Sequence, residues 1–297
     1  VQTGSEFFVS GGGNIQFSDS TSLHIFDNSD FTVLGGGSIV FSGDKEINIE
    51  GFSSLNVEGG NIEYHGNRVI NLMESTFSVT SGNLETYDNT VFNVLEGSSG
   101  IVSGGNFVLR EQSVIDMEVQ TSIVISAGNV QLYDSGLVKM NSSSISVTGN
   151  NQQTGNFEVN NSVLVDLFDS LISVAGGNFV TDGSSFITMD SSDISISSGS
   201  VLSRGSSQFS LTQSSVDVSG GNLSLFSSTI WSVVSESVAS VTGGDVTLQN
   251  SSEMKVEDST LSASGGNVIL RDSSNLQLLE SLLSVTGGDI YFAAQSY

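Results

Sequence analysis

The chain has 297 residues with no proline, no cysteine and 34 glycines, and only 13% of its residues are charged. Its 32 acids against 7 Lys plus Arg give a formal net charge of -25, which excludes nucleic acid as a partner because phosphate binding needs clustered cations. Missing cysteine excludes disulfides and thiolate metal sites. No apolar run approaches the roughly 18 residues of a membrane span, and no basic-then-apolar leader opens the chain at Val1.

The first segment, Val1 to Ser10, reads as the tail of a coil, with Phe7 and Val9 alternating before Gly11. A landmark then recurs, Gly-Gly followed by a small polar residue. Its last residue falls at Asn14, Ser38, Asn61, Asn83, Asn106, Asn129, Asn156, Asn178, Ser200, Asn222, Asp245, Asn267 and Asp289. The spacing is 22 to 24 residues, except for 27 between Asn129 and Asn156. There the surplus lies in a polar stretch, 148–156, expected to protrude as a loop insertion. Within each repeat the apolar residues alternate at period two: Val246 and Leu248, then Met254 and Val256, then Leu261 and Ala263. That period means strands. Three short strands separated by Ser, Asn, Asp and Gly make a three-sided coil.

One coil cannot bury its own inward side chains, so the repeats must stack. The fold expected is all-β: a single right-handed parallel β-helix (β-solenoid) over 1–297, with about 13 three-sided coils of 22–23 residues. At about 4.8 Å per coil this makes a rod of roughly 60 Å. Missing proline fits strands that must all donate N–H groups, and the Gly-Gly pair suits a corner needing φ > 0. The landmark residues Asn14, Asn61, Asn83, Asn106, Asn129, Asn156, Asn178, Asn222, Asp245, Asn267 and Asp289 are expected to stack as a structural ladder. Asn141, Asn160, Asn222 and Asn250 also open Asn-x-Ser sequons, and ladder burial makes Asn222 the poorest acceptor of the four.

The last segment, from Asp289, reads as the beginning of a coil, with Ile290 and Phe292 alternating. Counted across a junction of Tyr297 to Val1, Asp289 and Asn14 lie 22 residues apart, one repeat. That match, with no capping segment at either end, raises head-to-tail stacking of copies into filaments beside an array cut from a longer chain.

Several outward columns invite a functional reading. An acidic column is expected at the second turn: Asp27, Glu50, Glu74, Glu96, Glu118, Asp169, Asp190, Glu236, Asp258 and Glu280. Stacked carboxylates repel, so they form either a solvated turn or a site for a divalent cation, with calcium the candidate; no other cofactor is expected. A looser set, Asp19, Asp88, Glu111, Asp134 and Asp272, reads as turn chemistry. Thr32, Ser78, Ser146, Ser173, Ser195, Ser262 and Ser284 give one face small hydroxyls, and Val40, Val108, Val180, Leu202, Ile269 and Tyr291 give another face apolar positions open to lateral contact.

The repeated G-G-N-[IVLF]-x-[LVF], as in GGNIEY, GGNFVL and GGNVIL, and the closing S-x-[LI]-S-V-[TS]-G-G resemble the parallel β-helix repeats of cell surfaces. These are the passenger and stalk regions of bacterial adhesins and similar eukaryotic surface proteins. The resemblance implies an extracellular or cell-surface location and an adhesive or scaffolding role. The calcium-binding nonapeptide of RTX repeats is absent.

Three functions follow in order: a structural or adhesive rod whose partner is itself, a module binding glycan, cations or another repetitive surface, and a polysaccharide-cleaving β-helix enzyme. The third lacks support in the residues. The seven Lys and Arg are scattered, His24 and His65 stand in no motif and read as exposed strand or turn residues, and ten similar acids offer no distinguished catalytic pair. No enzymatic activity is expected.

Overall fold

The computed structural model describes residues 4–18, 21–149 and 155–293. Among them there is no helix, and every strand pair is parallel. The chain is a β-solenoid that divides into two units, Val1–Gly155 and Asn156–Tyr297. The polar insertion falls at this division, and residues 150–154 lie outside the described residues.

In the first unit one sheet stacks Ile15–Phe17, Ile39–Ser42, Ile62–His65, Leu84–Thr86, Phe107–Leu109 and Val130–Leu132. A second sheet runs from Leu23–Ile25 to Leu137–Asn141, and a third from Glu6–Val9 to Ser144–Thr148. In the second unit the corresponding sheets run from Phe157–Val159 to Ile290–Phe292, from Leu164–Phe168 to Asn275–Leu279, and from Leu171–Ala175 to Leu282–Thr286. Each unit therefore holds six complete strand triplets. Twelve turns result; the thirteenth landmark, Asp289, starts one further strand.

Within each unit the register is one coil apart, so like residues stack. Ile39 lies over Ile15 and under Ile62, and Val94 lies between Leu72 and Met117. Inward residues such as Ile39, Leu72, Val94, Ile125, Val218 and Leu248 are at most 2% exposed. Each stabilises the fold by about 1.5–3 kcal/mol relative to exposure. Aromatic side chains enter where one coil's ring can lie flat on the next. Phe17, Phe41 and Tyr64 stack at 4.8 and 5.0 Å, Phe157 and Phe179 at 5.1 Å, and Phe209 and Trp231 at 4.2 Å.

The core is not wholly apolar. Thr181, Ser203 and Ser207 are buried and bonded to one another at 3.0 to 3.3 Å, which satisfies hydroxyls that would otherwise cost about 1–3 kcal/mol each. Arg68 is fully buried at a corner where the next coils carry Thr90 and Ser113. Its guanidinium donates to the Lys45 and Ser42 carbonyls, and burial pushes its pKa below the usual arginine value, opposed by Asp44 and Tyr64.

The Gly-Gly pair needs a correction. Only its first residue has φ > 0, as in Gly220 (φ 87), Gly243 (φ 85) and Gly265 (φ 86), and Ser81, Ala127 and Ser198 hold that place at φ 61 to 64. The second residue is glycine before every landmark, for a different reason. A Cβ there would lie 2.0 Å from the preceding coil's carbonyl at Gly244, 1.9 Å at Gly266 and 1.7 Å at Gly128. Bare backbone must lie on bare backbone at this corner.

Candidate functional site

Three sets of polar side chains run along the stack. The first is the expected ladder at the Gly-Gly corner; its recurring bond is side chain to backbone, joined by side-chain amide bonds at 3.1 Å from Asn129 Nδ2 to Asn106 Oδ1 and from Asn267 Nδ2 to Asp245 Oδ1. Asn61 Oδ1 accepts the Asn83 N–H at 3.0 Å, Asn83 Oδ1 the Asn106 N–H at 2.8 Å, and Asn106 Oδ1 the Asn129 N–H at 3.0 Å. In the second unit Asn156 serves Asn178, Asn178 serves Ser200, Asn222 serves Asp245, Asp245 serves Asn267, and Asn267 serves Asp289. Serine substitutes without breaking the series, since Ser38 Oγ accepts from Asn61 and Ser200 Oγ from Asn222. Only the oxygen is required, which explains Asp and Ser in an asparagine series. Ladder burial does not hold for Asn222, which is exposed.

The second set was not legible in the sequence. At the corner between the second and third sheets, Ser29 N–H donates to Ser53 Oγ at 3.2 Å, Ser53 N–H to Ser75 Oγ at 3.2 Å, and Ser75 N–H to Ser98 Oγ at 3.1 Å. In the second unit the series runs Ser170, Ser192, Ser214, Ser237, Ser259, Ser281 at 3.0 to 3.3 Å. Ser192 is 1% exposed, and its hydroxyl donates back to the Asp190 carbonyl at 2.8 Å. Here each coil donates to the following one, the reverse of the asparagine corner. Serine is so common in this chain that a regular column of it gives no contrast; its one signal is its place just after the acids.

The third set is a side-chain amide ladder on the outer face of the second sheet. Asn93 Nδ2 donates to Asn71 Oδ1 and Asn71 Nδ2 to Asn48 Oδ1, both at 2.8 Å, and Asn48 Nδ2 lies 3.3 Å from His24 Nδ1. The alternating INI, INL and FNV segments carried that signal. His24 thus heads a ladder rather than standing alone.

The acids expected as one column occupy two positions. Asp27, Glu74, Glu96, Asp169, Glu236, Asp258 and Glu280 hold the left-handed turn, with φ between 46 and 63. Glu50 and Asp190 end strands instead, and Gly51 and Ser191 take the left-handed place. Glu118 follows the strand Val114–Met117, with Gln120 left-handed two residues later. The acids overlook shallow grooves, one of about 430 Å³ beside Glu236, Asp258 and Glu280 and one of about 410 Å³ beside Glu74 and Glu96. Among the described residues no three His, Asp or Glu side chains converge to hold a metal ion.

On the outer face of the first sheet, His65 stacks on Tyr87 at 4.5 Å with Nε2 3.5 Å from Glu63 Oε2. Arg110 lies between Tyr87 and Tyr133, at 5.9 and 5.3 Å from their ring centres. Burial, helped by the hydrogen bond to Glu85, pushes the Tyr87 hydroxyl up to about 12. Among the apolar positions expected to face outward, Val108 is buried at 3% exposure, whereas Tyr291 is 50% exposed.

No protein-family model and no curated protein matches the chain. One solved structure is similar, a TibC-catalysed hyper-glycosylated fragment of TibA, at 16% identity and a TM-score of 0.36, covering 98% of this chain and 99% of that one. At that score the likeness carries no inference about what this chain does. No helix among the described residues is long and apolar enough to cross a membrane.

Proposed function

We propose that the chain is a structural, adhesive β-solenoid of a cell surface or extracellular assembly, without enzymatic activity, whose copies associate head to tail. The observation that supports this most is the direction of the bonding. In each unit the backbone ladders, the asparagine oxygens and the serine hydroxyls all run from coil to coil. Such an arrangement resists extension along the stack and presents the same chemistry at regular intervals. Light scattering and negative-stain electron microscopy of the 297-residue chain at rising concentration test this reading. Particles that lengthen with concentration are expected; a monodisperse monomer throughout contradicts it.

A further inference from the structure

The corner between the second and third sheets of the first unit carries an aromatic side chain that the core does not use. Phe52 lies between the strands Ile47–Glu50 and Ser54–Glu58. It is 72% exposed, more than any other large apolar side chain among the described residues. Its backbone is left-handed at φ 63, where a bulky residue is strained. The other described non-glycine residues in that region are polar, apart from Ala127. An aromatic ring held out into solvent on a strained turn adds nothing to folding and is a surface for a ligand.

Phe52 borders the shallow groove of about 410 Å³ that Glu74 and Glu96 overlook. Its N–H donates to the Glu74 carbonyl at 2.9 Å, so ring and carboxylate belong to successive coils. Gly97, left-handed at φ 73, has open space where a Cβ would stand, and no side chain closes the groove there. Two lining hydroxyls are committed to the serine ladder, since Ser53 Oγ and Ser75 Oγ accept backbone N–H groups. The Glu74 and Glu96 carboxylates and the Thr76 hydroxyl make no hydrogen bond or ion pair among the described residues. No three acidic or histidine side chains converge there to hold a bare metal ion.

The geometry points to a binding site for a glycan of protonated amino sugars, of the glucosamine type. Phe52 offers its ring to the C–H face of one pyranose, Glu74 and Glu96 accept from its ammonium and hydroxyl groups, and Thr76 adds a hydroxyl contact. Charge complementarity selects this class. Two open carboxylates line the groove, no cation does, and the net charge of -25 draws cations and repels acidic sugars. A lysine-rich peptide shares the charge but lacks the flat C–H face rimmed by hydroxyls that a ring beside carboxylates matches. The site rests on the adhesive part of the reading above and not on self-association. A groove of about 430 Å³ in the second unit, beside Glu236, Asp258 and Glu280, has the acids without an aromatic ring and serves as an internal control.

The test is calorimetric titration of the 297-residue chain at mildly acidic pH with a glucosamine tetrasaccharide, beside its fully N-acetylated counterpart and tetralysine. The glucosamine oligomer is expected to bind roughly tenfold more tightly than either control and to weaken as salt rises. Phe52→Ala should lower affinity roughly tenfold without lowering the melting temperature, because the ring is exposed. Glu74→Gln combined with Glu96→Gln should do the same with an unchanged circular dichroism spectrum, while Glu236→Gln binds as the parent chain does. Equal binding of the acetylated oligomer overturns the amino-sugar assignment, and equal binding of tetralysine overturns the glycan. A loss in Glu236→Gln as large as that in the double variant overturns the Phe52 groove as the site. Absence of binding overturns the site and leaves self-association standing, which light scattering on the same samples reads separately.

Discussion

The Gly-Gly corner and the serine corner meet the same need by opposite means. At both, the chain bends between sheets and a backbone N–H loses its strand partner, a buried group that must be satisfied. The Gly-Gly corner removes side chains so that backbones touch, then reaches forward with an exposed or half-buried amide oxygen. The serine corner keeps its side chain, turns it inward beneath a left-handed residue, and receives the N–H of the preceding coil. The first leaves a mark in composition, glycine and asparagine at a fixed interval. The second uses the commonest small polar residue and leaves almost none.

The largest expected effect separates the two glycines. Gly244→Ala places a Cβ 2.0 Å from the Gly221 carbonyl, a backbone clash that no rotamer relieves; a loss of about 3 kcal/mol in urea denaturation is expected. Gly243→Ala strains only φ, at 85°, and should cost about 1–2 kcal/mol. Equal losses would break the distinction between a contact glycine and a conformational one.

Next come the ladders themselves. Ser192→Ala removes the acceptor of the Ser170 N–H at a site 1% exposed, and about 2 kcal/mol should be lost because water cannot replace it. Asn178→Ala removes the acceptor of the Ser200 N–H at a half-buried corner that water reaches, so about 1 kcal/mol is expected. A larger loss at Asn178 would reverse the contrast.

The smallest effect is a pH dependence. The Tyr87 hydroxyl is raised to about 12, mainly by burial and then by its hydrogen bond to Glu85. A tyrosine whose folded pKa exceeds the unfolded value near 10 favours the folded state fully below pH 10. This contribution is lost as pH rises through about 12. Melting temperature should therefore fall over that window, less steeply in Tyr87→Phe, and identical profiles would remove the assignment.

The repeat, the three-sided coil and the inward columns were legible because burial imposes period two and stacking imposes the 22–23-residue interval. The left-handed turn acids were partly legible: Glu50, Glu118 and Asp190 were placed in the same column although each coil sets its bend separately, and single-residue shifts such as Gly51 for an acid move the side chain off line. The hydroxyl trio of Thr181, Ser203 and Ser207 and the buried Arg68 were not legible, since their partners are carbonyls and hydroxyls brought close only by stacking.

Hydrogen exchange at the two corners tests the central claim most directly. If coil-to-coil side-chain acceptors hold the bends, the amides of Ser170, Ser192 and Ser200 will exchange as slowly as those of the adjoining strands. Exchange of these amides at open-loop rates, with the strands still protected, would contradict the account.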